Sequence, residues 1–259
     1  MGIINVTPDS FFDGGRHATT DAAVAHALQL AEEGADLLDI GGESTRPGAT
    51  PVSLSVELER VIPVLSRLRD CGVPLSVDTR RPEVMQAAID SGAAMINDVN
   101  ALQAQGALQI CSRGGVGVCL MHMQGDPQSM QINPQYRDVV SEVKAFLTER
   151  MVAAEQAGIG RDQIVLDPGF GFGKTLQHNL TLLRNLECLK MSGVPILAGL
   201  SRKSVLGAIV GKGDDDRMVA SAVAALLAVQ HGASVVRVHD VKATRNALAV
   251  LKAVEENHD

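Results

Sequence analysis

Asn5, Asp39, Asp78, Asn97 with Asp98, His122, Asp167, Ser201-Arg202-Lys203, and Arg237 with His239 share one placement: each stands at the end of a short apolar run. Their chemistry divides in two. Asp78, Asn97 and Asp167 offer acceptors and one amide. That suits a flat ligand with several N–H donors, because a carboxylate takes two adjacent N–H groups at once. Lys203, Arg237 and His239 are cationic or become so on protonation, which suits an anion. Taken singly, Asp, Asn and Ser in such places are ordinary helix caps. Taken together they describe a dipolar site, with a donor-rich heterocycle at the acidic end and an anion at the basic end, provided one fold gathers all the runs.

The elements that must do this are legible as a repeat. A helix-like amphipathic stretch ends at glycine, and an apolar run follows, as in EEGADLLDIGG, DCGVPLSVDT, DSGAAMINDV, RGGVGVCLMHM, MSGVPILAGLS and QHGASVVRVHD. A glycine just past a helix end takes the left-handed conformation without steric cost. Runs such as LLDI, VCLM, PILA and VVRV suit strands of a parallel sheet buried on both faces. The pattern predicts eight strands, at about 2–5, 36–40, 75–78, 94–97, 116–121, 163–167, 195–199 and 234–238. It predicts helices at about 20–33, 54–70, 82–91, 102–113, 136–157, 177–191, 215–231 and 241–256. Eight βα units in 259 residues point to an α/β chain folded as one (β/α)8 TIM barrel domain over 1–259, with a doubly wound open sheet as the alternative. No strand leads into GxGxxG, which weakens the dinucleotide form of that alternative. Barrels carry their chemistry at the C-terminal ends of strands, and phosphate often sits after strands seven and eight, where Lys203, Arg237 and His239 fall.

The stretch DPGFGFGKT, residues 167–175, imitates a nucleotide phosphate loop. Such a loop needs a glycine five places ahead of the glycine in GK, and that place holds Pro168, which has no N–H to offer a phosphate. Aromatic residues make up only 2% of the chain, yet Phe11, Phe12, Phe170 and Phe172, four of its five phenylalanines, lie in two glycine-rich segments. Stacking on a planar ligand, or closing over it, is the expectation for them, with loop stapling as the plainer option. The segments 5–15 and 41–48 exceed the usual βα loop of about 2–6 residues and are flanked by glycine, as lids are.

Hydrophobic residues are 46% of the chain, charged residues 20%, and the net charge is −7 with no basic run, which argues against nucleic acid as a partner. No apolar stretch reaches the ~18 residues of a membrane span, and no leader is expected ahead of the first strand. Cys71, Cys111, Cys119 and Cys188 form no CxxC pair, so buried free thiols in a reducing cytoplasm are expected, without zinc or disulfides.

NVTPDSF (5–11), GGESTRPG (41–48), SVDT (76–79), IND (96–98), LMHMQG (120–125), LDPGFGFGK (166–174), SRKS (201–204) and RVHD (237–240) together resemble the motif set of the dihydropteroate synthase family, in order and over essentially the whole chain. The resemblance implies a cytoplasmic, homodimeric (β/α)8 barrel. It implies a transferase that joins 6-hydroxymethyl-7,8-dihydropterin diphosphate to p-aminobenzoate, giving 7,8-dihydropteroate and pyrophosphate in folate synthesis, and that belongs to the sulfonamide target class. By position, Asp78, Asn97, Asp167 and Lys203 would hold the pterin, with Arg237 against its ring. Asn5 would help to bind Mg²⁺. Arg237 and His239 would hold the diphosphate. Thr45, Arg46, Phe172, Lys203 and Ser204 would line the p-aminobenzoate pocket. DPGFGFGK then reads as a pterin-binding loop.

The implied chemistry is coherent. The reacting CH₂ sits on an electron-rich ring that shares developing positive charge, and an aryl amine is nucleophilic without a strong base. Carbon–oxygen cleavage is therefore expected before or ahead of amine attack, with both long loops closing to exclude water. Two departures stand out. Relatives generally carry a small hairpin ahead of the NVTPDSF strand, whereas here Met1 opens that strand, which bears on stability more than on chemistry. Phe12 stands where many relatives have a small polar residue, which bears on the lid and on sulfonamide affinity. A related barrel, the methyltetrahydrofolate–corrinoid methyltransferase, would share the carboxylates but needs no diphosphate site, against SRKS and RVHD. A pterin-binding protein without catalysis would not need Asn5, Lys203, Arg237 and His239 intact.

Overall fold

Strands of four residues recur at a regular spacing because each apolar run is cut short by a polar residue and a turn. The computed structural model describes residues 1–7, 16–44, 48–126, 128–211 and 214–256. Phe11, Phe12, Thr45 and Arg46 lie outside the described residues, as do 8–15 of the first early loop and 45–47 of the second. The order is β1 (Gly2–Asn5), α1 (Arg16–Glu32), β2 (Leu38–Gly41), α2 (Leu54–Leu68), β3 (Leu75–Asp78), α3 (Pro82–Asp90), β4 (Met95–Asp98), α4 (Ala107–Gly114), β5 (Gly117–Met121), α5 (Val139–Gln156), β6 (Ile164–Asp167), α6 (Leu176–Arg184), β7 (Leu197–Ala198), α7 (Ser204–Val210), α8 (Asp214–Gln230), β8 (Val235–Val236) and α9 (Val241–Glu256). All pairings between these strands are parallel. β1 to β6 form one sheet in sequence order and β7 pairs with β8.

Two parallel bridges, Leu166 with Ile196 and Gly2 with Val238, join the sheets into a ring. Ile3 N–H to the Val238 carbonyl at 3.0 Å and Val238 N–H to the Met1 carbonyl at 2.9 Å close it. This is the (β/α)8 barrel, and the open-sheet alternative falls away. One glycine at each of the six helix-to-strand junctions takes positive φ, from 65° at Gly115 to 100° at Gly232.

The period of two along each strand organises the interior. Met95, Cys119 and Leu197, with Leu37, Val165 and Val235 packed on them, form an apolar floor inside the ring. Two residues further along the same face stand Asp39, Asn97, Met121, Asp167, Gly199 and Arg237. The polar layer thus lies directly above the apolar one, at the C-terminal mouth. The remaining core sits between strands and helices and is built almost wholly from Val, Ile, Leu, Ala and Met.

Several boundaries differ from expectation, each for a physical reason. The helix expected at 102–113 begins only at Ala107, because Asp98 accepts the N–H groups of Asn100 and Leu102 while Ala101 and Leu102 take positive φ. The helix expected at 177–191 ends at Arg184, where Asn185 bonds back to the Thr181 carbonyl and a 3-10 turn, Leu186–Leu189, replaces the last turns. α7, SVLGAIV, is a helix beyond the eight that the repeat predicts. Cys111 and Cys119 are buried as expected, but Cys71 is half-buried and Cys188 exposed. Among the described residues no helix is long and apolar enough to cross a membrane.

Candidate active site

The parallel register sets the first wall of the site. Asn5 pairs with Gly41, Gly41 with Asp78, and Asp78 with Asn97, so these four strand positions form one row across β1 to β4. Gly41 leaves room beside Asp78, since a Cβ there would lie 3.6 Å from the Asp78 Cβ. One step deeper, Asp39 is fully buried and acts as the hub. It accepts hydrogen bonds from Ser76 Oγ at 2.6 Å, Asn97 Nδ2 at 3.0 Å and Arg237 Nε at 2.6 Å. The same guanidinium donates through Nη2 to Asp78 at 2.9 Å. Arg237 therefore stands within the acidic well, bound to carboxylates of β2 and β3.

Electrostatics follow from burial. Asp78 is pushed up to about 7, chiefly by burial, with Arg237 opposing and Asp39 and Asp98 adding to the rise. Burial also raises Asp167, against the charge of Lys203 and the N–H of Gly169, which donates to Asp167 Oδ1 at 2.7 Å. Lys203 is pushed down to about 8 by burial, with Asp167 opposing. For Arg237, burial is outweighed by Asp39, Asp78 and Asp167, and its pKa rises, so it stays a cation throughout. Burial thus raises both Asp78 and Asp167 around one permanent cation.

The second wall is built from loops. Lys203 Nζ donates to the Phe170 carbonyl and lies 4.6 Å from the centre of the Phe172 ring. Ser204 opens α7 and is exposed beside it. At the end of β7, Ser201 Oγ lies 3.0 Å from His239 Nδ1 and accepts the His239 N–H at 3.1 Å, tying the last two βα turns together. Arg202 is turned outward onto Asp240, with contacts of 3.0 and 2.6 Å. Asp98 is a cap for its own turn, as the bonds to Asn100 and Leu102 show, and burial holds it at about 6 against them.

The loop after β6 explains the glycines of DPGFGFGK. Gly169 (φ 68°) and Gly173 (φ 60°) are left-handed, and a Cβ on either would sit 1.9 Å from the His122 carbonyl oxygen or 2.4 Å from that of Gln124. The β5 and β6 loops are pressed together at these two points, which leave no room for a Cβ. Phe170 corrects the expectation of ligand stacking: it is fully buried in the core, a staple for the loop. Phe172 is half-buried and faces Lys203, so of the described phenylalanines in the two glycine-rich segments it is the one that offers a ring to a ligand. Two groups carry more than the sequence suggested. Asp39 was one strand end among many, although a carboxylate between Leu38 and Ile40 in a doubly buried strand was a signal. Lys174 belongs to the stretch that imitates a phosphate loop, yet it is buried, and burial pushes its pKa down to about 7.

A family model described as pterin-binding enzyme matches residues 1–239. The dihydropteroate synthase of Neisseria meningitidis serogroup C is 53% identical over 99% of this chain and 93% of its own. That of Escherichia coli strain K12 is 47% identical over 98% and 90%. Among solved structures, Xanthomonas albilineans dihydropteroate synthase with 4-aminobenzoic acid matches with TM-score 0.93 and 57% identity, covering 98% of this chain and 92% of that one. The Yersinia pestis enzyme in a sulfonamide drug complex matches with TM-score 0.93 and 45% identity, covering 98% and 93%. With its barrel, its well of carboxylates and this degree of likeness, the chain belongs to the pterin-binding enzymes and, among them, to the dihydropteroate synthase family of transferases.

Proposed function

We propose that this chain condenses 6-hydroxymethyl-7,8-dihydropterin diphosphate with p-aminobenzoate, releasing pyrophosphate and 7,8-dihydropteroate. The observation that carries the reading is the row of Asp78 and Asn97 above Asp39, with Arg237 bridging both carboxylates. Asp78 and Asp167 accept the N–H groups of the pterin's pyrimidine edge, Asn97 adds one amide, and Lys203 donates to a ring acceptor. Binding a donor-rich ring favours the ionised carboxyls, which in turn stabilise positive charge spreading from the CH₂ into the ring. As the C–O bond breaks, its electron pair leaves with the diphosphate, which His239 and Arg237 hold. The amine of p-aminobenzoate, packed on Phe172 and near Lys203 and Ser204, forms the C–N bond and releases its proton to solvent or pyrophosphate. Sulfonamides, which mimic p-aminobenzoate, would compete at that wall.

Mg²⁺ fits the donors at the mouth. Among the described residues no group of three His, Cys, Asp or Glu could hold a metal. A magnesium ion that keeps its waters and rides on substrate phosphates needs few protein ligands, and Asn5, in the row with Asp78, supplies a hard oxygen. Bound there, the ion would neutralise charge on the departing diphosphate.

We further propose a homodimer. Between α6, α7 and α8 lies an apolar groove of about 610 Å³, with Ile209, Val219, Val223 and Leu227 among its lining. Val219 is 62% and Val223 49% exposed, which a second copy of this face would cover. Val223→Glu is expected to give monomers by light scattering. A reducing cytoplasm agrees with four free cysteines. The test of the reaction is formation of dihydropteroate and pyrophosphate in equal amounts, dependent on both substrates and Mg²⁺. Pterin binding without product, in folded protein, overturns it.

A further inference from the structure

The loop between β6 and α6 has two faces. Its front supplies the Phe170 carbonyl and the Phe172 ring to Lys203. Its back is gathered on one buried side chain, Lys174. That side chain turns under its own loop, and Nζ lies 2.9 Å from the Gly169 carbonyl, 3.0 Å from the Phe172 carbonyl and 2.9 Å from His122 Nδ1. The His122 carbonyl is further off, at 3.4 Å. In its protonated form Lys174 has three N–H donors, which match the three short contacts. His122 accepts at Nδ1 only as a neutral ring protonated on Nε2. Burial, followed by the charge of Lys174, holds it neutral, with a pKa near 3.

The histidine is itself fixed. Its ring packs edge-on against Phe146 at 5.0 Å and tilted against Tyr136 at 6.1 Å. Tyr136 then donates its hydroxyl to the Gly173 carbonyl at 2.8 Å, and Asn179 Oδ1 accepts the Gly171 N–H at 2.7 Å. In an aromatic-poor chain, the only tyrosine and two of the phenylalanines brace one loop. The carbonyls that Lys174 gathers, at 169 and 172, bracket the one that Lys203 uses, at 170.

We propose that Lys174 is a positioning residue for the second substrate: by fixing the carbonyls on either side of Phe170 it presets Phe172 and Lys203 as the p-aminobenzoate wall. This rests on the reaction proposed above. Lys174 touches no substrate in this account and acts only through the loop.

The test compares Lys174→Met and Tyr136→Phe with wild type. Readouts are kcat, both KM values, thermal midpoint and amide exchange at Gly171 and Phe172. A wild-type chain that makes no dihydropteroate overturns the reaction; loop exchange is read without turnover and judges the positioning role separately. Lys174→Met should speed exchange at both amides. It should raise KM for p-aminobenzoate about tenfold or more, since a misplacement of ~1 Å costs up to ~100-fold. KM for the pterin diphosphate should move less, because Asp78 and Asn97 stand on strands. Tyr136→Phe removes one bond to the same loop and should shift the same KM about two- to threefold, as loss of ~0.5 kcal/mol does, at nearly unchanged midpoint. If Lys174→Met does not fold, Tyr136→Phe and Lys174→Arg decide. Lowered midpoints with unchanged KM values, or unchanged exchange, overturn the proposal and leave Lys174 a residue of the fold alone.

Discussion

The site has a half made by strands and a half made by loops, and they are held differently. In the strand half, Asp39, Asp78, Asn97 and Arg237 are positioned by register, and their charges are matched to one another before any ligand arrives. In the loop half, Lys203 and Phe172 are held by a carbonyl, a ring face and the buried staple behind them. A ligand entering the strand half meets a preformed well and a field. A ligand entering the loop half meets surfaces whose placement depends on side chains two contacts away. The heterocycle that must share positive charge belongs in the first half, and the neutral, flat amine in the second.

The comparison breaks most strongly at Arg237. Arg237→Met leaves Asp39 and Asp78 buried without a counter-charge, and loss of one partner of a buried pair costs about 3–5 kcal/mol. Urea denaturation should show that loss, together with weakened pterin binding. On the loop side the matching break is Phe170→Ala, since a fully buried phenylalanine removed from a core also costs about 3–5 kcal/mol. Its stability loss should come with a raised KM for p-aminobenzoate, not for the pterin.

A subtler contrast is in pH. Asp78 is raised to about 7 in the folded protein, from an ordinary value near 3.8. The folded chain then holds a proton that the unfolded chain has lost between those values. Its contribution to stability is present at low pH and lost as pH rises through about 7. A pterin that donates N–H groups to the ionised carboxyl reverses that preference. Pterin affinity should therefore climb with pH, up to about tenfold per unit, until about 7 and then level, while Asp78→Asn flattens the climb. Affinity for p-aminobenzoate should not follow this curve. The smallest expected effect is Phe172→Leu, which removes a ring face from beneath Lys203. A partly exposed cation–π contact is worth about 0.5–1 kcal/mol, so KM for p-aminobenzoate should rise about two- to fivefold with stability nearly unchanged.

The two halves also differ in how far the sequence revealed them. Strand ends are written in composition: an apolar run, a polar residue and a glycine junction suffice, and Asp78, Asn97 and Asp167 emerge from that pattern. Register then aligns Asn5 with Asp78 and Asn97, which no local signal states. The direction of Arg237 was not legible either. Whether a guanidinium turns inward to carboxylates or outward to an anion depends on charges from strands nearly 200 residues away in the chain, as Asp39 shows. The loop half was harder still. Phe170 and Phe172 are two residues apart in the same motif, yet one is core and the other faces Lys203, because left-handed glycines between and beside them reverse the chain. Lys174 reaches His122 across 52 positions, a contact set by the packing of two loops and by no periodicity.

The most direct test of the account is equilibrium binding of 6-hydroxymethyl-7,8-dihydropterin diphosphate, by calorimetry near neutral pH, to wild type, Asp78→Asn and Phe172→Leu. Loss of a charged hydrogen-bond acceptor costs about 1.5–3 kcal/mol. The account predicts pterin affinity about 10- to 100-fold weaker in Asp78→Asn and nearly unchanged in Phe172→Leu. Equal affinity in wild type and Asp78→Asn, with both folded, would contradict the placement of the pterin in the strand-built well.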